Sequence, residues 1–118
     1  MFVRENEAKR IDFSESSLYD ITELQAAAAL VTEQFAGFEG CTMTSLRYAG
    51  DDACSEENLR WMNSLKDGRH FTQCAEFLSD FVSDGTNPVL EKAGEYLDYQ
   101  WWLAREDGGD WELITWGY

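Results

Sequence analysis

Apolar residues recur at helical spacing from Leu24 through Ala28 and Val31 to Phe35, with Ala27 and Leu30 widening the stripe. That period predicts an amphipathic helix, because residues three and four apart share one face. Asp20 followed by Glu23 reads as a capping box at its start, and Gly37 ends the run. From Cys41 to Tyr48 the chain turns to Thr and other strand formers between Gly40 and Gly50, which predicts a strand. Ser55 caps a second, shorter helix through about Lys66, with Leu59, Met62 and Leu65 as its stripe; Asp67-Gly68 stops it.

The stretch Phe71 to Val82 fits two periods at once. Phe71, Cys74, Leu78 and Phe81 match a helix, while Ala75, Phe77, Ser79 and Phe81 alternate as in a strand, and period alone does not arbitrate. Asp84 to Gly94 is a loop by its breakers Gly85, Asn87, Pro88 and Gly94. Tyr96–Arg105 and Trp111–Tyr118 are aromatic-rich strands joined through Glu106-Asp107-Gly108-Gly109-Asp110, a hairpin signal. Residues 1–16 are polar and aperiodic, so they read as a flexible N-terminal arm before a single domain over 17–118.

The hairpin register decides which side chains share a face. With Arg105 opposite Trp111, Leu103 falls opposite Leu113 and Trp101 opposite Thr115. Tyr99, Trp101, Leu103, Trp111 and Leu113 then share one face, and Trp102, Ile114, Trp116 and Tyr118 the other. The expected core is the first group with Leu24, Ala28, Val31, Phe35 and Leu46. The second group is a spare apolar face, the signature of a protein partner, self-association or a cavity.

At 118 residues the chain has the length of one domain, and 44% hydrophobic content with five Trp is ample for a core. The net charge of −14, from 23 acidic and nine basic residues, argues against direct nucleic acid binding and against adsorption to anionic membranes. It reads as a solubility charge; the alternative is an acidic inhibitor, a nucleic-acid mimic that blocks a basic protein. No run approaches the roughly 18 apolar residues of a membrane span, so membrane insertion is not expected. With no signal peptide visible behind Met1, the expectation is a cytoplasmic protein, or an extracytoplasmic one if this is a mature domain trimmed of its leader.

Candidate chemistry is sparse. Cys41, Cys54 and Cys74 are an odd set without a C-x-x-C pair, which leaves room for one bridge or none. Cys41 and Cys74 sit in apolar stretches, while Asp51, Asp52 and Glu56 around Cys54 are expected to raise its pKa and dull it. His70 is the lone histidine, at a turn; with Cys74 it would still lack two ligands for zinc. No nucleophile elbow or phosphate-binding glycine loop is present, so no catalytic residue, metal or cofactor is expected. An enzyme or small-molecule binder would instead need a cavity carboxylate. Asp98 and Glu76 are the candidates, each within an apolar strand where burial would raise its pKa.

The run Asp98-Tyr99-Gln100-Trp101-Trp102-Leu103-Ala104-Arg105, then Asp107-Gly108-Gly109, Trp111-Glu112-Leu113 and Thr115-Trp116-Gly117-Tyr118, resembles the close of a family of uncharacterised small bacterial domains. Phe38-Glu39-Gly40-Cys41-Thr42 with Leu46 and Tyr48 resembles its first strand, and Ser79-Asp80-Phe81 its middle one. The resemblance implies a helix followed by a curved antiparallel sheet, and with the elements read above the expected fold is α+β: an N-terminal helix on a curved antiparallel sheet of about four strands, with a second short helix closing one end. That fold is similar to the cystatin-like and nuclear-transport-factor-two-like cone folds. It also implies that Phe71–Val82 is a strand. The family has no established activity, so no catalytic residue carries over. The resulting expectation is a non-catalytic binding or accessory domain acting through its aromatic sheet face, with a small-molecule ligand in a cavity as the alternative.

Overall fold

Asp20 and Glu23 fix the start of the long helix by exchanging hydrogen bonds. The Glu23 amide donates to Asp20 Oδ1 at 2.9 Å, and the Asp20 amide donates to Glu23 Oε1 at 2.9 Å. The computed structural model describes residues 10–13, 15–90 and 92–118. Its elements are β1 (Arg10–Asp12), α1 (Ile21–Phe35), β2 (Cys41–Tyr48), a 3-10 turn (Asp51–Ala53), α2 (Glu56–Ser64), β3 (Gln73–Ser83), β4 (Gly94–Arg105) and β5 (Glu112–Gly117). The strands form one sheet in chain order, antiparallel except for β1, which runs parallel to β2. The fold is therefore α+β: a helix on a curved, mainly antiparallel sheet, with a second short helix.

β3 settles the ambiguous stretch as a strand. It lies between β2 and β4, and Ala75, Phe77, Ser79, Phe81 and Ser83 are its buried alternate positions. Of these, Ala75, Phe77 and Phe81 meet Leu24, Ala27, Ala28, Val31 and Phe35 of α1, together with Leu46, Tyr99, Trp101, Leu103 and Trp111, in the main core. Each large aliphatic or Phe side chain among them contributes about 1.5–3 kcal/mol. Trp101 is fully buried, and its indole N–H donates to Ser79 Oγ at 2.8 Å, which satisfies a donor that water cannot reach.

Bulges bend the sheet. Ser79 pairs with Tyr99 but Phe81 with Tyr96, so Leu97 and Asp98 together oppose Asp80. On the other side Thr44 is the extra residue between Met43 and Ser45. Asp98 takes a positive φ of 59°, a conformation that short polar residues tolerate better than branched ones.

Three expectations need correction. Part of the proposed arm at residues 1–16 is built into the sheet: Arg10, Ile11 and Asp12 pair with Ser45, Leu46 and Arg47, adding a short parallel edge strand to the four antiparallel ones. Residues 1–9 of that arm lie outside the described residues. The second helix does not merely close an end. Cys74 and Ala104, one step along their strands from the inward-facing Ala75 and Leu103, point to the opposite face and pack with Met62, Phe71 and Ile114 in a second core beneath α2.

The hairpin register is the third. Leu103 does face Leu113, but Trp102 pairs with Thr115 and Trp101 with Trp116, leaving Ile114 as a bulge. The extra residue moves every later side chain of β5 to the other side. Trp102 and Ile114 consequently lie on the α2 face. Trp116 stacks on Trp101, with ring centroids 6.0 Å apart, and the Tyr118 ring meets Tyr99 at 5.1 Å, both on the α1 face. The four residues do not share one face.

Candidate functional site

Where α1 ends, the chain turns through Gly37 and carries Phe38 over the sheet. Phe38 lies 5.6 Å from Trp101 and 6.1 Å from Tyr99, ring to ring. Beyond it, the β3–β4 loop folds back to face the helix end. Asn87 holds that loop in place. Its amide donates to the Glu39 carbonyl at 3.1 Å, and its Oδ1 accepts from the amides of Val89 and Leu90 at 2.9 and 3.0 Å. Asp84 steadies the loop's entry by accepting from Thr86 Oγ1 at 2.7 Å and the Thr86 amide at 3.0 Å, bonds that hold its carboxyl below the usual range.

Between these parts lies a cavity of ≈ 310 Å³. Phe38, Tyr99 and Trp116 give it aromatic walls, and Pro88, Val89 and Leu90 close it from the loop. Gln34 and Glu39 are the other polar residues of its lining, and Asn87 is already engaged with the Glu39 carbonyl and its own loop. Its size and mixture of apolar wall with few polar groups suit a small ligand. The indole N–H groups of Trp101, Trp102 and Trp111 bond Ser79, Gln100 and the Glu23 carbonyl, whereas no described residue accepts from those of the half-exposed Trp61 and Trp116.

A second, shallower cleft of ≈ 150 Å³ crosses the free edge of β5. Trp102, Trp116 and Tyr118 line it with Trp61 of α2, which meets Trp102 edge-on at 5.3 Å. They reach it from opposite faces around the end of an edge strand. Ile114 lies in the second core and does not take part.

The two carboxylates named from the sequence lie elsewhere. Asp98 is exposed at the β4 bulge, paired with Arg47, and its amide donates to Asp80 Oδ1 at 3.0 Å. Glu76 stands on the α2 face opposite Trp102, where burial raises its pKa. Neither lines the cavity or the cleft. His70 is exposed, and no cluster of three metal-ligating residues occurs among the described residues.

Cys54 departs from expectation in the opposite sense. A hydrogen bond from the Cys74 thiol, aided by the Tyr19 hydroxyl at 3.2 Å and the Cys74 amide at 3.4 Å, holds its thiol well below the ordinary range. These contacts outweigh burial and the nearby Asp51 charge. The sequence shows the acidic neighbours of Cys54 but not the donors that folding brings to it.

The cavity itself escaped the sequence because it joins a helix end, two strands and a loop that lie far apart along the chain. Pro88-Val89-Leu90, an apolar triplet inside a loop of breakers, is the signal that marks it. Comparison with protein-family models, with curated proteins and with solved structures returns no match to this chain.

Proposed function

We propose that this domain is a non-catalytic binding module that receives an organic cation with an aromatic or alkyl body in the cavity beside Trp116. The supporting observation is the juxtaposition of Phe38, Tyr99 and Trp116 with Glu39 and Gln34 around ≈ 310 Å³ of space. Aromatic faces attract cations, a rim carboxylate adds to that attraction, and the net charge of −14 raises the local concentration of cationic ligands. The lining has no nucleophile–base pair, which favours binding over turnover. The helix lying across a curved sheet is in keeping with the resemblance to the cone folds, a kinship that belongs to this proposal.

Tryptophan fluorescence tests it with phenethylamine, neutral phenethyl alcohol and anionic phenylpropionate as probes. The amine should give a saturable change that Trp116→Ala abolishes and Glu39→Gln weakens roughly three- to tenfold. Equal responses to all three probes, or none at millimolar concentration, would overturn it. A second reading, contact with a protein partner or another copy of the chain, is favoured by the cleft that gathers Trp61, Trp102, Trp116 and Tyr118. Light scattering across micromolar concentrations, on wild type and Trp61→Ala, checks self-association without touching the cavity.

A further inference from the structure

Cys54 and Cys74 come together where the 3-10 turn meets the start of β3. Cys54 is half-buried and Cys74 fully buried, and both are free thiols. The Cys74 amide lies 3.4 Å from Cys54 Sγ, the Cys74 thiol reaches the Ala53 carbonyl at 3.9 Å, and the Tyr19 hydroxyl touches Cys54 Sγ at 3.2 Å while donating to the Cys74 carbonyl at 2.7 Å. Cys54 keeps partial exposure, Cys74 has none, and the phenol oxygen of Tyr19 lies against the first sulfur while its proton goes to the Cys74 carbonyl. Nothing in the cavity or the edge cleft uses these groups.

We propose that Cys54 and Cys74 are a reactive dithiol that hydroperoxides convert into an intramolecular disulfide, with Cys54 attacking and Cys74 resolving. The Cys54 thiolate attacks the terminal peroxide oxygen; an S–O bond forms, the O–O bond breaks, and the departing alkoxide takes a proton to become an alcohol. The Cys74 sulfur then attacks Cys54. The S–S bond forms, the S–O bond breaks, and the Cys74 proton leaves with the hydroxide as water. Two thiols are oxidised, and one hydroperoxide is reduced to alcohol and water. The depressed thiol pKa of Cys54 supplies the nucleophile at neutral pH, and the raised one of Cys74 keeps its partner protonated until the second step. The bridge would fasten the segment entering α2 to β3, closing the 20-residue separation between them. Tyr19 acts as a positioning residue, because its hydroxyl joins the Cys74 carbonyl to the attacking sulfur.

Cys41 is a built-in control. It pairs with Ser83 at the far end of β3, out of reach of Cys74. The full-length reduced protein is treated with cumene hydroperoxide, then mapped by mass spectrometry without reduction. The expected product has lost about 2 Da, links Cys54 to Cys74, and leaves Cys41 free. Iodoacetamide should label Cys54 at least about tenfold faster than Cys41 in the folded protein at neutral pH. Tyr19→Phe should move the pH midpoint of that labelling upward, a change that loss of packing alone would not produce. Cys74→Ser should stop at a Cys54 sulfenic acid that dimedone traps; if that variant does not fold, the wild-type map and the labelling rates decide. A link through Cys41, oxidation of Cys54 without a bridge, or equal labelling of Cys54 and Cys41 would overturn the proposal.

Discussion

Ser79 is small, polar and fully buried on β3, and its hydroxyl accepts the Trp101 indole proton inside a dry core. Ser79→Ala should therefore cost about 1–3 kcal/mol in urea denaturation, since it strands a buried donor. Replacing Trp101 by Phe in the same chain should make the loss of Ser79 less costly than it is alone, and additive losses would contradict the assignment. Carboxylates act in both senses. Burial raises the Asp51 carboxyl, but hydrogen bonds from Ser16 at 2.6 Å, Ser17 at 2.7 Å and Tyr48 at 2.7 Å outweigh it and leave its pKa lowered. Its share of stability is present above the unfolded carboxylate pKa and lost as the pH falls through the folded one. Glu76 has the reverse sign. Its folded pKa is raised by burial, so its share is complete below the unfolded pKa and lost as the pH rises through the folded one. Glu76→Gln should raise the melting temperature at about pH 7 and leave it unchanged near pH 3. A gain of equal size at both pH values would refute this.

Among the elements, the bulges carry more consequence than their length suggests. Ile114 adds one residue to β5 and so sends Trp116 to the cavity instead of the α2 face. Asp98, at φ 59°, marks the bulge in β4. Asp98→Val should destabilise the domain by about 1–2 kcal/mol, because a β-branched side chain resists that conformation. Asp98→Gly should stay within about 0.5 kcal/mol of wild type in the same denaturation assay, with backbone relief offsetting an exposed ion pair. If Val and Gly cost the same, the conformation is not what Asp98 contributes. The α1 cap, its buried stripe and the hairpin loop were all legible from local pattern, since each depends on residues within one or two turns. The bulges were not, although Leu113 and Ile114 stand side by side and break the alternation of β5: on one strand read alone, two adjacent apolar residues fit a strand packed on both faces as well as a register shift.

Across the whole molecule, one sheet serves two cores. α1 covers Trp101 and Phe77 on one side, and α2 covers Cys74 and Ala104 on the other. Arg105 ties the hairpin to the start of α1. It pairs with Glu23, donates to Gln73 Oε1 at 2.7 Å, and lies 4.4 Å from the Trp111 ring. With 23 acidic residues against nine basic, repulsion among the surface acids should exceed what such pairs recover. The melting temperature should rise by several degrees between about 10 and 300 mM sodium chloride, as screening weakens that repulsion. A fall with salt would mean that the pairs at Arg47, Arg69 and Arg105 dominate. Among the described residues no helix is long and apolar enough to cross a membrane.

The amino-acid order by itself determined the helix from Ile21, the aromatic hairpin, and the inward set Tyr99, Trp101, Leu103 and Trp111, because period, capping and turn chemistry act over a few residues. Tertiary structure alone decided the remainder: the strand β1, the side on which Trp116 emerges, the cavity between a helix end and a distant loop, and the donors that gather on Cys54. Each of these depends on groups far apart along the chain, whose meeting is set by strand register and loop closure rather than by any local preference.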